Sequence, residues 1–409
     1  MTHPKRVSKD DNFENVNNYS LQINRWFLEP IGAWPQMNTL STIKRITVLI
    51  QIFICSMIVA INAVPCMLYV SLEKESFKSK LNVLCPLLHR ITGTINYCVL
   101  LQRSKDIQDC IRHMEMDWQI VQRINDREVM LQHAKVGRFI SGICAAFMQG
   151  GAILFALGKA IKTTTFMISN ETYTMHPLTC PAYSKIIDTR FSPINEIMLT
   201  VQVISAFVAS SSTVGICGFA AVFAMHACSQ LNVLYTWLNE LVDDQDKEPC
   251  SVNKKLAIVV EHHLRILSFI ARMESIMHKA CFAQMMGSTI NMCLCGYYII
   301  MNWGSGEFHL TKIISYIISY LSMCFNIFIF CYIGEVLTEQ CKHVGEMTYM
   351  TNWYKLPHKT ALCLILIIAR SSSLIKITAG KLFHLSIATF GDVMKTSIVY
   401  LNFLRTMTT

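Results

Sequence analysis

The sequence predicts an all-α polytopic membrane protein with seven transmembrane helices, a cytoplasmic N-terminus, an extracellular C-terminus and a cytoplasmic helical anchor. Three observations carry that prediction. Of the 409 residues 52% are hydrophobic and 15% charged, against roughly 25% charged in a typical soluble domain, so too little polar surface exists to wrap a soluble core. Apolar runs recur at about the 20 residues that a helix needs to cross a bilayer. Basic residues, finally, are divided unequally between alternate connecting segments. Gly (17) and Pro (10) are sparse and no Ser/Gly/Pro-rich linker interrupts the chain, which reads as one domain over 1–409.

Residues 1–42 form a cytoplasmic N-terminus. Lys5, Arg6, Lys9, Asp10, Asp11, Glu14 and Arg25 are not the basic start and apolar core of a cleaved signal. Tyr19, Leu21, Ile23, Trp26, Phe27, Leu28, Ile31 and Trp34 then mix aromatic and polar positions ahead of Pro35, the pattern of a short helix at the membrane interface. Spans one to six occupy 43–337. The clear runs are 46–70, 139–158, 197–224, 280–303 and 313–337; 81–101 is interrupted by His89, Arg90 and Asn96.

After the fourth span, Leu231, Leu234, Leu238, Leu241 and Val242 continue at three- and four-residue steps, so the helix leaves the membrane unbroken. A second stripe, Leu256, Val259, Val260, Leu264, Leu267, Ala271 and Ile276, leads into the fifth span. Apolar stripes on stalks need burial, and the segment 225–279 is expected to join 338–388 in an anchor shared between subunits. Within the latter, 362–369 is apolar but far too short to cross, and reads as a buried or interfacial helix. The last span, 389–409, carries Asp392, Lys395, Asn402 and Arg405. Its polar content belongs against protein or water rather than lipid.

With the N-terminus inside, 26 of the 36 Lys and Arg fall in cytoplasmic segments, as the positive-inside rule requires. Asn170-Glu171-Thr172 is then a glycosylation sequon in an outside loop, whereas Asn18-Tyr19-Ser20 faces the cytosol. The net charge of +9 is not gathered into a basic block, which excludes a nucleic-acid role. Of 17 cysteines only Cys180 lies in an outside loop, so no disulfide framework is expected.

No HExxH, Walker A, GxGxxG or GxSxG occurs, and no enzyme, cofactor or metal site is expected. Cys293-x-Cys295 lacks a second pair, and the adjacent His262 and His263 beside Glu261 point to different helix faces. Glu335 and Glu339 mark either ion handling or the water boundary. In the last span Thr396, Tyr400, Phe403, Leu404 and Met407 share one stripe, which lines a pore or is buried inside the bundle; periodicity alone leaves both open.

Phe328-Ile-Phe-Cys-Tyr-Ile-Gly-Glu-Val-Leu-Thr-Glu-Gln340, Tyr349-Met-Thr-Asn-Trp-Tyr-Lys-Leu-Pro357, Leu366-Ile-Ile-Ala-Arg-Ser371, Ile377-Thr-Ala-Gly-Lys-Leu-Phe-His-Leu-Ser386, Val393-Met-Lys-Thr-Ser397 and Leu404-Arg-Thr-Met407 follow in order. This signature resembles that of insect odorant receptors. The segment from Asn18 to Pro35 is similar to the opening of receptors from ants, bees and wasps. The resemblance implies a subunit of an odorant-gated, non-selective cation channel in the plasma membrane of olfactory neurons, assembled as a tetramer with the family's coreceptor. The chain lacks the coreceptor's long second cytoplasmic insertion and so resembles the tuning subunit, which binds a small hydrophobic odorant or pheromone. A gustatory-receptor-like channel is the nearest alternative. A G-protein-coupled receptor is less suited, since neither a DRY triplet nor NPxxY is present.

The family's pocket, in the outer half of spans two, three, four and six, implies Leu84, Leu88, Met148, Gly151, Phe155, Met198, Gln202, Tyr316 and Tyr320 as ligand-binding candidates, with Phe155 and Tyr320 shaping the cavity. Its pore position implies Thr396, Tyr400, Phe403, Leu404 and Met407 as pore-lining.

Overall fold

Ten α-helices make up most of the described residues in a computed structural model, which describes 11–35, 41–161, 163–168, 171–189, 191–243, 249–304, 310–372 and 376–408. They are α1 (Asp11–Leu28), α2 (Thr42–Leu72), α3 (Phe77–Gln102), α4 (Ser104–Ile120), α5 (Ile124–Ala160), α6 (Ile194–Asp243), α7 (Pro249–Gly304), α8 (Leu310–Met350), α9 (His358–Ser372) and α10 (Ile387–Thr408). Two short antiparallel hairpins interrupt them: β1 (Thr164–Ile168) with β2 (Glu171–Met175), and β3 (Thr378–Ala379) with β4 (Phe383–His384). The seven expected spans fall in α2, α3, α5, α6, α7, α8 and α10. By length and composition, α2, α3, α5, α6 and α8 are apolar enough to cross a membrane. The run 280–303, read from sequence as a clear span, lies in α7 but does not join that group. Gln284, Ser288, Thr289 and Asn291 dilute it, and all four are buried against protein.

α6 is the post around which the others stand, buried along almost its whole crossing. Small side chains let neighbours reach its backbone, the usual device where lipid supplies no hydrophobic drive between helices. A Cβ at Gly93 of α3 would overlap Ala209, one at Gly215 would lie 2.5 Å from Leu28 of α1, and one at Gly218 would overlap Asn24. Polar groups on α6 are satisfied by the same neighbours. Asn96 Nδ2 donates to Thr213 Oγ1 (3.1 Å) and Gln284 Oε1 (3.1 Å), Gln149 Nε2 to Ser211 Oγ (2.6 Å), Asn62 Nδ2 to Ser205 Oγ (3.2 Å), and Ser212 Oγ to Gly93 O (2.8 Å).

The N-terminal segment is more than an interfacial helix. Trp26 is 60% exposed, but Leu21, Leu28 and Ile31 are core residues, Trp34 stacks on Phe219 at 6.0 Å, and Tyr97 Oη donates to Ile31 O at 2.8 Å. Arg138 of α5 completes the clamp, donating to Gln22 Oε1 at 2.7 Å with its guanidinium 4.0 Å above the Tyr19 ring.

The stalks run unbroken into the spans as expected, α6 for 50 residues and α7 for 56. Their stripes, however, do not wait for a second subunit. Leu231, Leu234, Leu238 and Leu241 are buried with Leu256, Val259, Leu267 and Ile276 inside the single chain, because α6 and α7 pack on each other, α5 and α8 close on α6, and α4 folds against α7. Ile258 and Leu264 stay exposed, as do Leu362, Ile365 and Leu366 on α9. The apolar run 362–369 is therefore half buried, through Leu364 and Ile367, and half bare.

Between the stalks lies a buried charged knot. Asp117 of α4 accepts from Arg265 Nε at 2.7 Å and His226 Nε2 at 2.9 Å, with His113 Nε2 at 3.6 Å. Burial opposes the Asp117 charge, but the His226 hydrogen bond and the surrounding His113 and Arg265 charges outweigh it and hold its pKa below the carboxylate range. Nearby, the His262 ring lies tilted against Trp237 with centroids 4.8 Å apart, and Trp237 Nε1 donates to Asp126 Oδ2 at 3.0 Å. Burial pulls both His262 and His263 down to about 4, with Asp117 partly offsetting it at His262 and Arg370 adding to it at His263.

This predicts acid sensitivity. Folded, the two histidines stay neutral to about pH 4, whereas the unfolded chain begins to take up protons near pH 6.5. Stability present above about pH 6.5 is lost as pH falls toward 4, by roughly 1–2 kcal/mol per histidine at pH 5. Thermal unfolding of the detergent-solubilised chain at pH 7 and pH 5 measures this loss. It should shrink in the His262→Gln/His263→Gln double variant; an equal loss in that variant would refute the assignment.

Candidate functional site

Near the ends of α3 and α7 that face the β1–β2 side, three tyrosines meet. Tyr298 stacks on Tyr316 of α8 with centroids 5.2 Å apart and meets Tyr297 edge-on at 5.4 Å. Leu81, Leu84, Cys85 and Leu88 of α3 and Leu294 and Met301 of α7 pack around them, and Leu401 and Leu404 of α10 close the cluster. Heptad-like spacing on α3 presents Leu81, Leu84 and Leu88 along one face. Gly296 lets α10 approach, since a Cβ there would lie 3.2 Å from Leu401 Cδ2. The cluster is thus apolar and aromatic with a few hydroxyls and one thiol, the composition of a site for a small hydrophobic molecule.

The structure brings together only part of the set expected from sequence. Leu84, Leu88 and Tyr316 are in the cluster. Tyr320, one turn further along α8, packs on the main core, and its hydroxyl reaches the Ser397 side chain of α10. Gly151 faces Ser322, whose Oγ would lie 3.2 Å from a Cβ there. Met148 is buried outside the cluster, with Ala145, Val214, Ile23 and Phe27, and its Sδ accepts from Asn326 Nδ2 of α8 at 3.8 Å. Met198 is buried on α6. Gln202 is occupied structurally, since its Oε1 accepts from Thr179 N at 2.9 Å and Cys180 N at 3.3 Å, and its Nε2 donates to Cys180 O at 2.5 Å. Phe155 lies in α5, but its side chain is outside the described residues, as is Asn170.

Tyr297 and Tyr298 are the residues that sequence reading missed. The fifth span was not among those implied to line the pocket, and the signal available was a tyrosine pair in a span already diluted by polar groups.

The stripe of α10 that flanks its packed face is bare. Tyr400 is 52% exposed, Phe403 60% and Met407 70%, and Thr396 is exposed with its hydroxyl donating to Asp392 O at 2.7 Å. Burial inside the bundle, one of the two readings of this stripe, is thereby excluded for these four. Leu404 departs from the stripe because it turns into the tyrosine cluster.

α8 holds the start of α10. Glu335 Oε2 accepts from Ile387 N at 3.1 Å, the first residue of the helix, while Ser386 Oγ accepts from Thr389 N at 3.2 Å. A carboxylate at a helix N-terminus both caps a free N–H and meets the positive end of the dipole. One residue earlier, a Cβ at Gly334 would overlap Leu385 O, so backbone approaches backbone. Of the two readings of Glu335, structure adds a third: it positions α10. Glu339 is exposed.

The sequence profile described as 7tm odorant receptor matches residues 76–398. Odorant receptor 10 of Aedes albopictus is 22% identical over 54% of this chain and 57% of its own length, and odorant receptor 13a of Drosophila melanogaster is 26% identical over 48% and 52%. The chain thus spans about half the length of these curated relatives. The structure of olfactory receptor OR5 from Machilis hrabei in complex with eugenol is 13% identical, with a TM-score of 0.74 over 97% of this chain and 100% of that one. At that identity it is the fold that is shared.

Loss of the Glu335 carboxylate should loosen the first turn of α10. In Glu335→Ala, hydrogen exchange of the amides of residues 387–390 is expected to rise about fivefold, the equivalent of a cap of about 1 kcal/mol. Glu335→Gln retains an acceptor and should stay close to the parent chain. Equal exchange in all three proteins would remove Glu335 from this role.

Proposed function

Because the chain belongs to the seven-transmembrane odorant receptor family, we propose that it is an odorant-binding tuning subunit that opens a non-selective cation channel together with the family's coreceptor, in the plasma membrane of an olfactory neuron. In this reading the N-terminus is cytoplasmic, the β1–β2 side is extracellular and α10 contributes to the pore. The observation that carries it is the double-sided use of α10. One face, Leu401 and Leu404, belongs to the tyrosine cluster; the other, with Thr396, Tyr400, Phe403 and Met407, is left uncovered.

A molecule inserting among Tyr297, Tyr298, Tyr316, Leu84 and Leu88 would press directly on α10. Leu404 is adjacent in sequence to Phe403, so a rotation that repacks Leu404 necessarily swings Phe403. Tyr320 to Ser397 and Glu335 to Ile387 are two further contacts through which α8 follows or resists that motion. Burying about 200 Å² of an apolar volatile at roughly 25 cal/mol per Å² gives about 5 kcal/mol, and no directional partner is required. Volatile or hydrocarbon-like molecules satisfy that condition. Eugenol, present in the Machilis hrabei receptor structure, is a small aromatic that also suits a ring-lined site. Exposed Ile258, Leu264, Leu362, Ile365 and Leu366 at the stalk end supply an apolar surface for neighbouring subunits.

Whole-cell current during an odorant panel that includes eugenol tests the proposal. Current should require both this chain and the coreceptor and persist with G-protein signalling blocked; current carried without the coreceptor, or abolished by the block, would contradict it. Tyr298→Ala and Tyr316→Ala should each raise the half-maximal odorant concentration about tenfold, a loss of about 1.4 kcal/mol within the range of one buried aromatic contact. Tyr320→Ala and Phe155→Ala should alter the dose–response profile. Phe403→Ala should change selectivity, blocker sensitivity or basal current, and no change in any of the three would take α10 out of the pore.

A further inference from the structure

Cys180 has a partner that its sequence position did not reveal. Cys66, near the end of α2, lies against it with the two thiols in hydrogen-bonding contact, and both side chains are buried with Val83 and Leu87 of α3. The backbone around each sulfur is pinned. Pro65 O accepts from Tyr183 N at 3.2 Å, which ties the loop to the turn that carries Cys66. From the other side Gln202 holds the Cys180 N–H and C=O, and Arg90 Nη2 donates to Gln202 O at 3.2 Å while its side chain also reaches the Cys180 thiol.

Two other thiol pairs are close. Cys85 and Cys295 have sulfurs 3.5 Å apart, and Cys144 lies beside Cys217. All four of those cysteines are on spanning helices, packed within the helix bundle. The pair at Cys66 alone has a member in a connecting loop, on the β1–β2 side.

We infer that Cys66 and Cys180 are joined by a disulfide that straps the loop 176–189 to α2 and α3. The inference rests on the orientation proposed above, which puts this loop in the oxidising lumen during synthesis. Before the loop docks, the thiolate of one cysteine attacks a disulfide of a lumenal dithiol oxidant. That disulfide breaks and one of its sulfurs leaves as a thiol. The second cysteine then displaces the other oxidant sulfur from the mixed disulfide. Two protein thiols are oxidised, the oxidant's disulfide is reduced to two thiols, and electrons and protons balance. Docking afterwards buries the bond beneath Val83, Leu87 and Gln202, out of reach of reductants.

The experiment counts thiols. Full-length chain is expressed in insect cells with an epitope at its C-terminus, denatured under an alkylating quench, and labelled with a maleimide of resolvable mass. Two fewer thiols than the 17 of the sequence should react until reductant is added, and peptide mapping should recover Cys66 linked to Cys180. In the Cys66→Ser/Cys180→Ser double variant reductant should release no further thiols. Mapping is done on the unsubstituted chain, so the result stands even if the variants fold poorly. Surface labelling of the epitope in intact cells reads orientation separately. All 17 thiols reactive with the epitope outside overturns the disulfide alone, as does a two-thiol deficit that persists in the double variant. An epitope reached only after permeabilisation overturns the orientation, and with all 17 thiols reactive it overturns the disulfide with it.

Discussion

The close approach of neighbouring backbones to α6 is the constraint on which the rest of the molecule depends. Within a bilayer, helices gain nothing by hiding leucines from water, so association rests on contact density and on pairing buried polar groups. α6 supplies both through Ala209, Ser210, Ser211, Ser212, Thr213, Gly215 and Gly218. The glycines admit α1, Gly93 on α3 faces Ala209, and the hydroxyls find Gln149, Asn96 and the Gly93 carbonyl. A larger side chain at Gly93 meets the Ala209 backbone and displaces a helix, whereas at Gly215 and Gly218 it meets the buried Leu28 and Asn24 side chains. α1 is held by this device and not by its amphipathic pattern, which is why an N-terminal segment with the look of a surface helix ends up with Leu28 and Ile31 in the core.

With α6 filled on all sides, the last helix to arrive has no groove left to enter. α10 rests on α7 and α8, touching them through Leu401, Leu404, Ser397 and its capped first turn. Phe390, Val393 and Met394 pack on the core as well, and the stripe of Thr396, Tyr400, Phe403 and Met407 is left uncovered. Its polar residues, which would be unfavourable against lipid, therefore have to be met from outside the chain, by water or by another subunit. α7 shares this character, since its Gln284, Ser288 and Asn291 are buried in protein. The two most polar crossings are neighbours, and the polar side of the bundle is where α10 stands.

Sequence carried the helices well because each has a composition that a bilayer selects. Seven runs, the unbroken stalks and the short helix near 362–369 follow from length and period alone. What periodicity could not supply was the partner of each stripe. The stalk leucines looked like an assembly surface, yet α5, α7 and α8 close on α6 within the chain, and α4, which carries Ile107, Cys110, Met114 and Trp118 on its own buried face, folds against α7. Residue identity was equally silent on orientation about the helix axis within a crowded site. Met148, one turn before Gly151, is buried among α1, α6 and α8, and Gln202 is taken up by the loop that follows the β1–β2 hairpin. Tyr297 and Tyr298 lacked any distinguishing period, and only the approach of α10 at Gly296 gives them a role.

That approach also explains why the same region can be both rigid and responsive. The first turn of α10 is fixed by Glu335, Ser386 and the backbone contact at Gly334, while its middle is held by side-chain packing at Leu401 and Leu404 and by Tyr320 near Ser397. Hydrogen bonds to a helix terminus resist translation, whereas packing between leucines and tyrosine rings permits a small roll at modest energy, since dispersion is weakly directional. A helix tethered at one end and packed softly in its middle moves at its free end. Here that end carries Phe403 and Met407, the most exposed apolar side chains of the stripe, so in the proposed reading a displacement at the tyrosine cluster would emerge where the chain has left its surface uncovered.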